Sequence, residues 1–260
     1  MKYIHNLSSS MFLCAALVSC ASAVKTPETA RNDIHEQFSA RTIEDIFSYA
    51  VRIEVISTVN MVKNDESDVS MKIEMKRFVG TGMPLPDNYV LTVAHVLPPP
   101  TTKYENLTAV NTLLAGGSAV KVIKVDPQKE LALLQAENCP EKGCFDSYFD
   151  RKIAVAANIG EVVATIGYPD GMQLFSKGFI SGKMIYENQK YMVINNGSTT
   201  GGSSGSPVFL FQNGEPLLGA LITGVYIDEK LKNISTVLVT PVENIREFLT
   251  GVKGLEQQLQ

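Results

Sequence analysis

Gly201-Gly202-Ser203-Ser204-Gly205-Ser206-Pro207 decides the reading, together with Tyr89-Val90-Leu91-Thr92-Val93-Ala94-His95 far upstream of it. The pair supplies a candidate nucleophile and a candidate base in a defined order. A serine hydroxyl is a poor nucleophile at neutral pH and needs a neighbouring imidazole to take its proton. Small residues around it let the backbone turn tightly, so that amide N–H groups can face a developing oxyanion. Each run alone has a plainer meaning, a surface loop in one case and a structural histidine in the other.

Working outward, the flanking sequence is mostly strand-like. Apolar, β-branched runs recur at Val51–Thr58, Met71–Val79, Tyr89–Ala94, Val120–Val125 and Leu131–Gln135. A second series follows at Ile153–Ala156, Glu161–Ile166, Gly178–Tyr186, Tyr191–Ile194, Val208–Phe211, Pro216–Val225 and Thr236–Val239. Turn signals such as Pro86-Asp87-Asn88 separate them, and short strands at this spacing predict an all-β barrel or sandwich. The stretch Glu137–Asp150 reads as the boundary between two β units, 49–138 and 139–260. Thr26-Pro27-Glu28 reads as the start of a short helix through Phe38, inside a leader of residues 20–48. Thr240-Pro241-Val242-Glu243 reads as a capping box opening a terminal helix. Ile245, Phe248, Leu249 and Val252 give that helix one apolar stripe.

The ordered blocks resemble trypsin-like serine peptidases, in the branch of bacterial HtrA and glutamyl-endopeptidase relatives. Val79-Gly80-Thr81-Gly82 leads into the segment ending on His95, as Gly-x-Gly leads into Leu-Thr-Ala-Ala-His. Lys129-Glu130-Leu131-Ala132-Leu133-Leu134 resembles Asp-Leu-Ala-Leu-Leu. Ile166-Gly167-Tyr168-Pro169 and Gly178-Phe179-Ile180-Ser181-Gly182 resemble the Gly-Tyr-Pro and Gly-x-Val-Ser-Gly blocks. Gly202-Ser203-Ser204-Gly205-Ser206-Pro207 resembles Gly-Asn-Ser-Gly-Ser-Pro. The resemblance covers roughly Tyr49 to Leu249. It implies two six-stranded antiparallel β-barrels of the trypsin type with a short N-terminal and a C-terminal helix. The chain ends soon after that last helix, leaving no room for the PDZ domain of HtrA proteins.

The same resemblance implies roles. Ser204 aligns with the nucleophile and His95 with the base, and the N–H groups of Gly202 and Ser204 would form the oxyanion hole. The position of the family's aspartate holds Glu130, one methylene longer, with Asp126 as the fallback orienter. Gly219 to Gly224 would edge the cleft and pair with an extended peptide, so Ile222, Thr223 and Gly224 are candidate substrate-binding residues. Ser198 and Thr199 would lie near the primary pocket. No acidic residue marks the pocket base, which speaks against a Lys or Arg preference and for a small or apolar side chain. No histidine follows Ser204, which separates the chain from the glutamate-selective subtype.

Two other readings are open. Gly201-Gly202-Ser203-Ser204-Gly205 matches the Gly-x-Ser-x-Gly of α/β-hydrolase esterases, but that fold needs a histidine after its serine, and none follows His95. A catalytically inactive trypsin-fold lipoprotein acting as a binding scaffold is the second, sustained by the glutamate at position 130.

Composition sets the remaining bounds. With 45% hydrophobic and 19% charged residues, this is ordinary globular material. A net charge of −4 and the lack of any Lys/Arg run argue against nucleic-acid binding. Three histidines and no Cys/His cluster argue against a metal, and no cofactor is expected. Lys2 and the apolar run Met11–Val18 read as a signal peptide, because eight helical residues reach only about 12 Å of the roughly 30 Å a bilayer needs. Leu17-Val18-Ser19-Cys20 resembles a bacterial lipobox, making 1–19 the signal and Cys20 the lipidated first residue. Cleavage after Ala21-Ser22-Ala23, giving a soluble periplasmic or secreted protein, is the alternative. The expected setting is the bacterial periplasm, at a membrane. There Cys139 and Cys144, spaced around a Pro and a Gly, can close a small disulfide loop, two reduced thiols being the alternative.

Overall fold

The computed structural model describes residues 39–62, 70–104, 107–140, 143–186, 188–196, 199–228 and 233–260. Two closed antiparallel barrels fill most of it. The first contains β1 (Val51–Val62), β2 (Ser70–Pro84), β3 (Tyr89–Thr92), β4 (Thr101–Tyr104), β5 (Leu107–Ala115), β6 (Ser118–Asp126) and β7 (Leu131–Ala136). Its strands run in the order β1-β2-β3-β7-β6-β5, and β5 pairs with β1 to close the barrel, while β4 adds to β5. The second contains β8 (Val162–Gly167), β9 (Leu174–Tyr186), β10 (Gln189–Asn196), β11 (Pro207–Gln212), β12 (Glu215–Asp228) and β13 (Asn233–Pro241). It closes in the order β10-β13-β12-β11-β8-β9.

The apolar run of β7 explains how the barrels stay together. Successive residues of a strand face opposite sides, and both sides of β7 are dry. Leu134 joins Ile53, Val55, Val90 and Leu113 inside the first barrel. Leu131 and Leu133 face the other way, into a larger core shared with Ile166, Val208, Phe209 and Leu221 of the second barrel. Strand β3 divides likewise, with Val90 in one core and Leu91 in the other. Each such side chain contributes roughly 1.5–3 kcal/mol by leaving water, so the cleft between the barrels rests on a rigid floor.

Helix α1 (Ala40–Phe47) was not anticipated in the sequence. Ser39 caps it by accepting from the Thr42 N–H at 3.1 Å, and Ile46 is its buried anchor. Just beyond it, Tyr49 packs edge-on against Phe149 at 5.3 Å, and Phe149 lies 5.7 Å from Phe209. The helix expected over Thr26–Phe38 and the candidate lipid site Cys20 lie outside the described residues.

Other differences have physical reasons. The run Ile153–Ala156 forms no strand; it makes a single parallel bridge from Ile153 to Leu218. Strands β4 and β5 were not among the expected runs. Helix α2 (Val242–Leu249) buries Val242, Ile245, Phe248 and Leu249, the expected stripe. Its N-cap is Pro241, without a side-chain hydrogen bond, and not Thr240. The Thr240 hydroxyl is committed to Thr223 and to the Lys129 carbonyl. Cys139 and Cys144 form a disulfide with their Cα atoms 4.8 Å apart. Asn88 braces that loop by accepting from the Cys144 N–H at 2.9 Å.

Candidate active site

His95 stands on a single 3-10 turn (Ala94–Val96) directly after β3. Its neighbour Val96 is buried, which fixes the turn and leaves the imidazole 43% exposed. Glu130 ends the turn between β6 and β7, in a left-handed conformation with φ 54°. An L-residue in that region costs on the order of 1 kcal/mol, so neighbours must hold it. Asp126 accepts from the N–H groups of Gln128 (3.1 Å) and Lys129 (3.0 Å), shaping the turn from within. Lys129 then reaches Asp126 at 3.4 Å and Glu247 of α2 at 2.9 Å, while Thr240 donates to its carbonyl at 3.2 Å.

So held, the Glu130 carboxylate meets the imidazole. Its Oε2 lies 3.0 Å from His95 Nδ1 and 3.3 Å from the His95 backbone N. The hydrogen bond from His95 holds the Glu130 carboxyl below the ordinary glutamate range, against the opposing effect of burial. With Nδ1 facing the carboxylate, Nε2 is left as the basic nitrogen. Asp126 is engaged with its own turn.

The serine loop is built from two successive turns. Ser203 N–H donates to Thr200 O at 3.1 Å with Gly202 at φ 94°, and Ser206 N–H donates to Ser203 O at 3.0 Å with Gly205 at φ 87°. A positive φ at the third position defines a type II turn and calls for glycine. Gly205 N–H to Ile222 O (2.7 Å) and Ile222 N–H to Ser206 O (2.9 Å) tie the loop to β12.

Thr81 of the first barrel does the rest. Its N–H donates to Ser204 O at 2.8 Å, and its hydroxyl donates to Gly202 O at 2.8 Å. Its own carbonyl accepts from the Thr92 hydroxyl at 2.7 Å. With both loop carbonyls drawn to Thr81, the N–H groups of Gly202 and Ser204 have no acceptor among the described residues. Gly80 marks where the two halves converge: a Cβ there would come within 2.6 Å of Val96 Cγ1 and 2.9 Å of Ser204 O. The side chain of Val96, next to His95, and the backbone of Ser204 thus converge on one glycine.

Of the candidate substrate residues, Ile222 and Thr223 are buried on β12, and Gly224 is half-buried with open space where a Cβ would be. Thr199 is buried beneath the serine loop, lining with Ser203 and Ser206 a cavity of about 10 Å³. Ser198 lies outside the described residues. Thr81, Thr92 and Thr240 were not read as site residues in the sequence, where Thr92 stood inside the block ending on His95 and Thr240 was expected only to cap a helix. Thr81 was visible only as the middle of Gly80-Thr81-Gly82, and nothing local marks the distant partners that any of the three hydroxyls finds.

The trypsin-like peptidase domain matches residues 80–219, more than half of the chain. The chain belongs to the trypsin-like peptidase family. It shares its fold with an HtrA-type protease, AlgW, solved with a decapeptide: TM-score 0.60 at 13% identity. That match covers 81% of the peptidase and 66% of the AlgW chain. The active form of the Rv3671c protease from M. tuberculosis superposes with a TM-score of 0.55 at 18% identity, covering 82% of the peptidase and 84% of that chain. Its inactive form gives 0.53 at 19% identity. No curated protein sequence matches the peptidase.

Proposed function

We propose that this peptidase cleaves peptide bonds through an acyl-enzyme on Ser204, with His95 as general base and Glu130 as the orienting acid. The carrying observation is the 3.0 Å Glu130–His95 contact beside a serine loop whose Gly202 and Ser204 N–H groups are uncommitted. In the first step Ser204 Oγ attacks the scissile carbonyl as its proton moves to His95 Nε2. The Gly202 and Ser204 N–H groups stabilise the oxyanion of the tetrahedral intermediate. Glu130 stabilises the imidazolium without itself taking the proton. Collapse breaks the C–N bond, and His95 returns the proton to the leaving amine. Water, deprotonated by His95, then attacks the ester carbonyl and frees both the acid product and Ser204.

The acyl half of the substrate would lie extended along β12 at Ile222–Gly224, adding a strand. A small or apolar side chain before the cleaved bond suits a sequence that marks no acidic residue at the expected pocket base. We further infer export to the periplasm with a lipid on Cys20. The Cys139–Cys144 bridge supports an oxidising compartment. Intact mass of the membrane-extracted protein tests the anchor: a lipid-free chain starting at Val24 would refute it.

The central test is a fluorophosphonate, which phosphonylates an activated serine with loss of fluoride. Stoichiometric labelling that disappears in Ser204→Ala and persists in Ser203→Ala is expected. An unlabelled, folded wild-type protein would favour the scaffold reading.

A further inference from the structure

The first barrel opens beside His95 into a pocket of about 200 Å³. Val79, Leu97 and Pro98 give it apolar walls, and Ser57, Asn111 and Arg77 are its polar lining. Arg77 is the unusual member. Across the sheet Val55 lies opposite both Arg77 on β2 and Leu113 on β5. Directly opposed residues share a face, and Val55 and Leu113 belong to the barrel core. Arg77 therefore springs from the inward face, just above apolar packing, where a charge is unfavourable unless it reaches water or a partner.

The other polar groups of the pocket are engaged with each other. Ser57 donates to Asn111 Oδ1 at 2.7 Å, and Asn111 Nδ2 donates to Pro99 O at 2.9 Å. The neighbouring cation, Arg52, is paired with Glu54. Arg77 is exposed and has neither an ion pair nor a side-chain hydrogen bond among the described residues. A guanidinium with no partner among the described residues is thus presented at the mouth of an apolar pocket that His95 itself lines.

The chemistry at His95 says which part of a substrate reaches this pocket. The acyl half lies on β12 of the second barrel. The leaving half must present its nitrogen to the imidazole that protonates it, and so departs on the side of the first barrel. An extended residue advances about 3.3 Å, so a pocket lined by His95 is within reach of the first two residues after the cleaved bond. We propose that the mouth of the first barrel receives a side chain from this leaving half, and that Arg77 selects an acidic one. The apolar walls would take the methylenes of a glutamate, and the guanidinium fork its carboxylate.

This proposal rests on the peptidase reading, and the experiment separates the two. Matched peptides carrying Glu, Gln or Lys at the first or second leaving-side position are compared by kcat/KM. In parallel their Kd for the Ser204→Ala protein is measured by fluorescence anisotropy. Wild type should favour Glu over Gln by about two- to fivefold, a range set by the exposure of the pair. Arg77→Gln should erase that ratio, and Arg77→Glu should turn it towards Lys. The binding arm reports on Arg77 whether or not the peptides are cut, and fluorophosphonate labelling of wild type reports on Ser204 without any leaving peptide. A Glu/Gln ratio near one in both arms, or a ratio that survives Arg77→Gln, overturns the proposal even where labelling is complete.

Discussion

Thr240 donates its hydroxyl to the carbonyl of Lys129, joining the second barrel to the residue immediately before Glu130. The same hydroxyl oxygen lies 2.7 Å from Thr223 Oγ1 on β12, the strand proposed to hold the peptide. A buried hydroxyl pair therefore links the substrate edge to the turn that aims the carboxylate. Thr240→Val keeps the shape but leaves Thr223 and Lys129 short of a partner, at a cost of about 1–3 kcal/mol in stability. Turnover should fall roughly tenfold or more with KM little changed, and Thr240→Ser should restore it. Steady-state kinetics on the three proteins checks this.

Glu130→Gln should lower turnover by about 10²–10⁴, by analogy with the amide replacement in the aspartate triad. Asp126→Asn, which touches the turn and not the imidazole, should cost less than about tenfold. Undetectable change in the first with loss of activity in the second would transfer the orienting role.

The same carboxylate makes stability depend on pH. Its affinity for protons is lowered in the folded protein, so the unfolded chain binds the proton more tightly. The stabilisation is then fully present above the ordinary glutamate value of about 4.5 and is lost as pH falls through the lower folded value. Denaturation midpoints between pH 7 and pH 3 should converge for wild type and Glu130→Gln at the acid end.

Gly205→Ala tests the docking of the serine loop. A Cβ there would lie 2.0 Å from Thr81 O, and the φ of 87° is already adverse to a side chain. The loop must move off Thr81, releasing the carbonyls of Gly202 and Ser204. Loss of fluorophosphonate labelling is expected, with the far-ultraviolet dichroism of the barrels retained.

Replacing Cys139 and Cys144 together by serine should lower stability by no more than about 2–3 kcal/mol, because so short a loop restricts few unfolded conformations. Activity should survive, since the bridged loop is tied to Asn88 and not to the residues of the site. Urea denaturation with a peptide assay gives both numbers.

Much of this arrangement is legible in the chain because it depends on local signals. Alternating β-branched runs give the strands, and positive-φ glycines give the turns around Ser204. His95 and Glu130 stand in ordered blocks whose spacing carries meaning. What escaped is long-range. Thr81 and Thr240 act through hydroxyls that find their acceptors only after the barrels close, and a threonine in a strand carries no mark of that. The cap expected from Thr240 failed for this reason: its hydroxyl had a better partner in a distant turn. Arg77 is equally silent, since its inward direction follows from pairing with Val55.

The grip of Thr81 on the serine loop has a consequence for the life of the molecule before it is mature. The groups that would cut a peptide are divided between the halves, and the half bearing Ser204 borrows its loop geometry from the half made first. On the proposed mechanism, a nascent chain whose two halves have not yet met carries a serine but no working blade. Neither it nor a fragment shed by damage can digest its neighbours, and potency arrives only with the finished molecule.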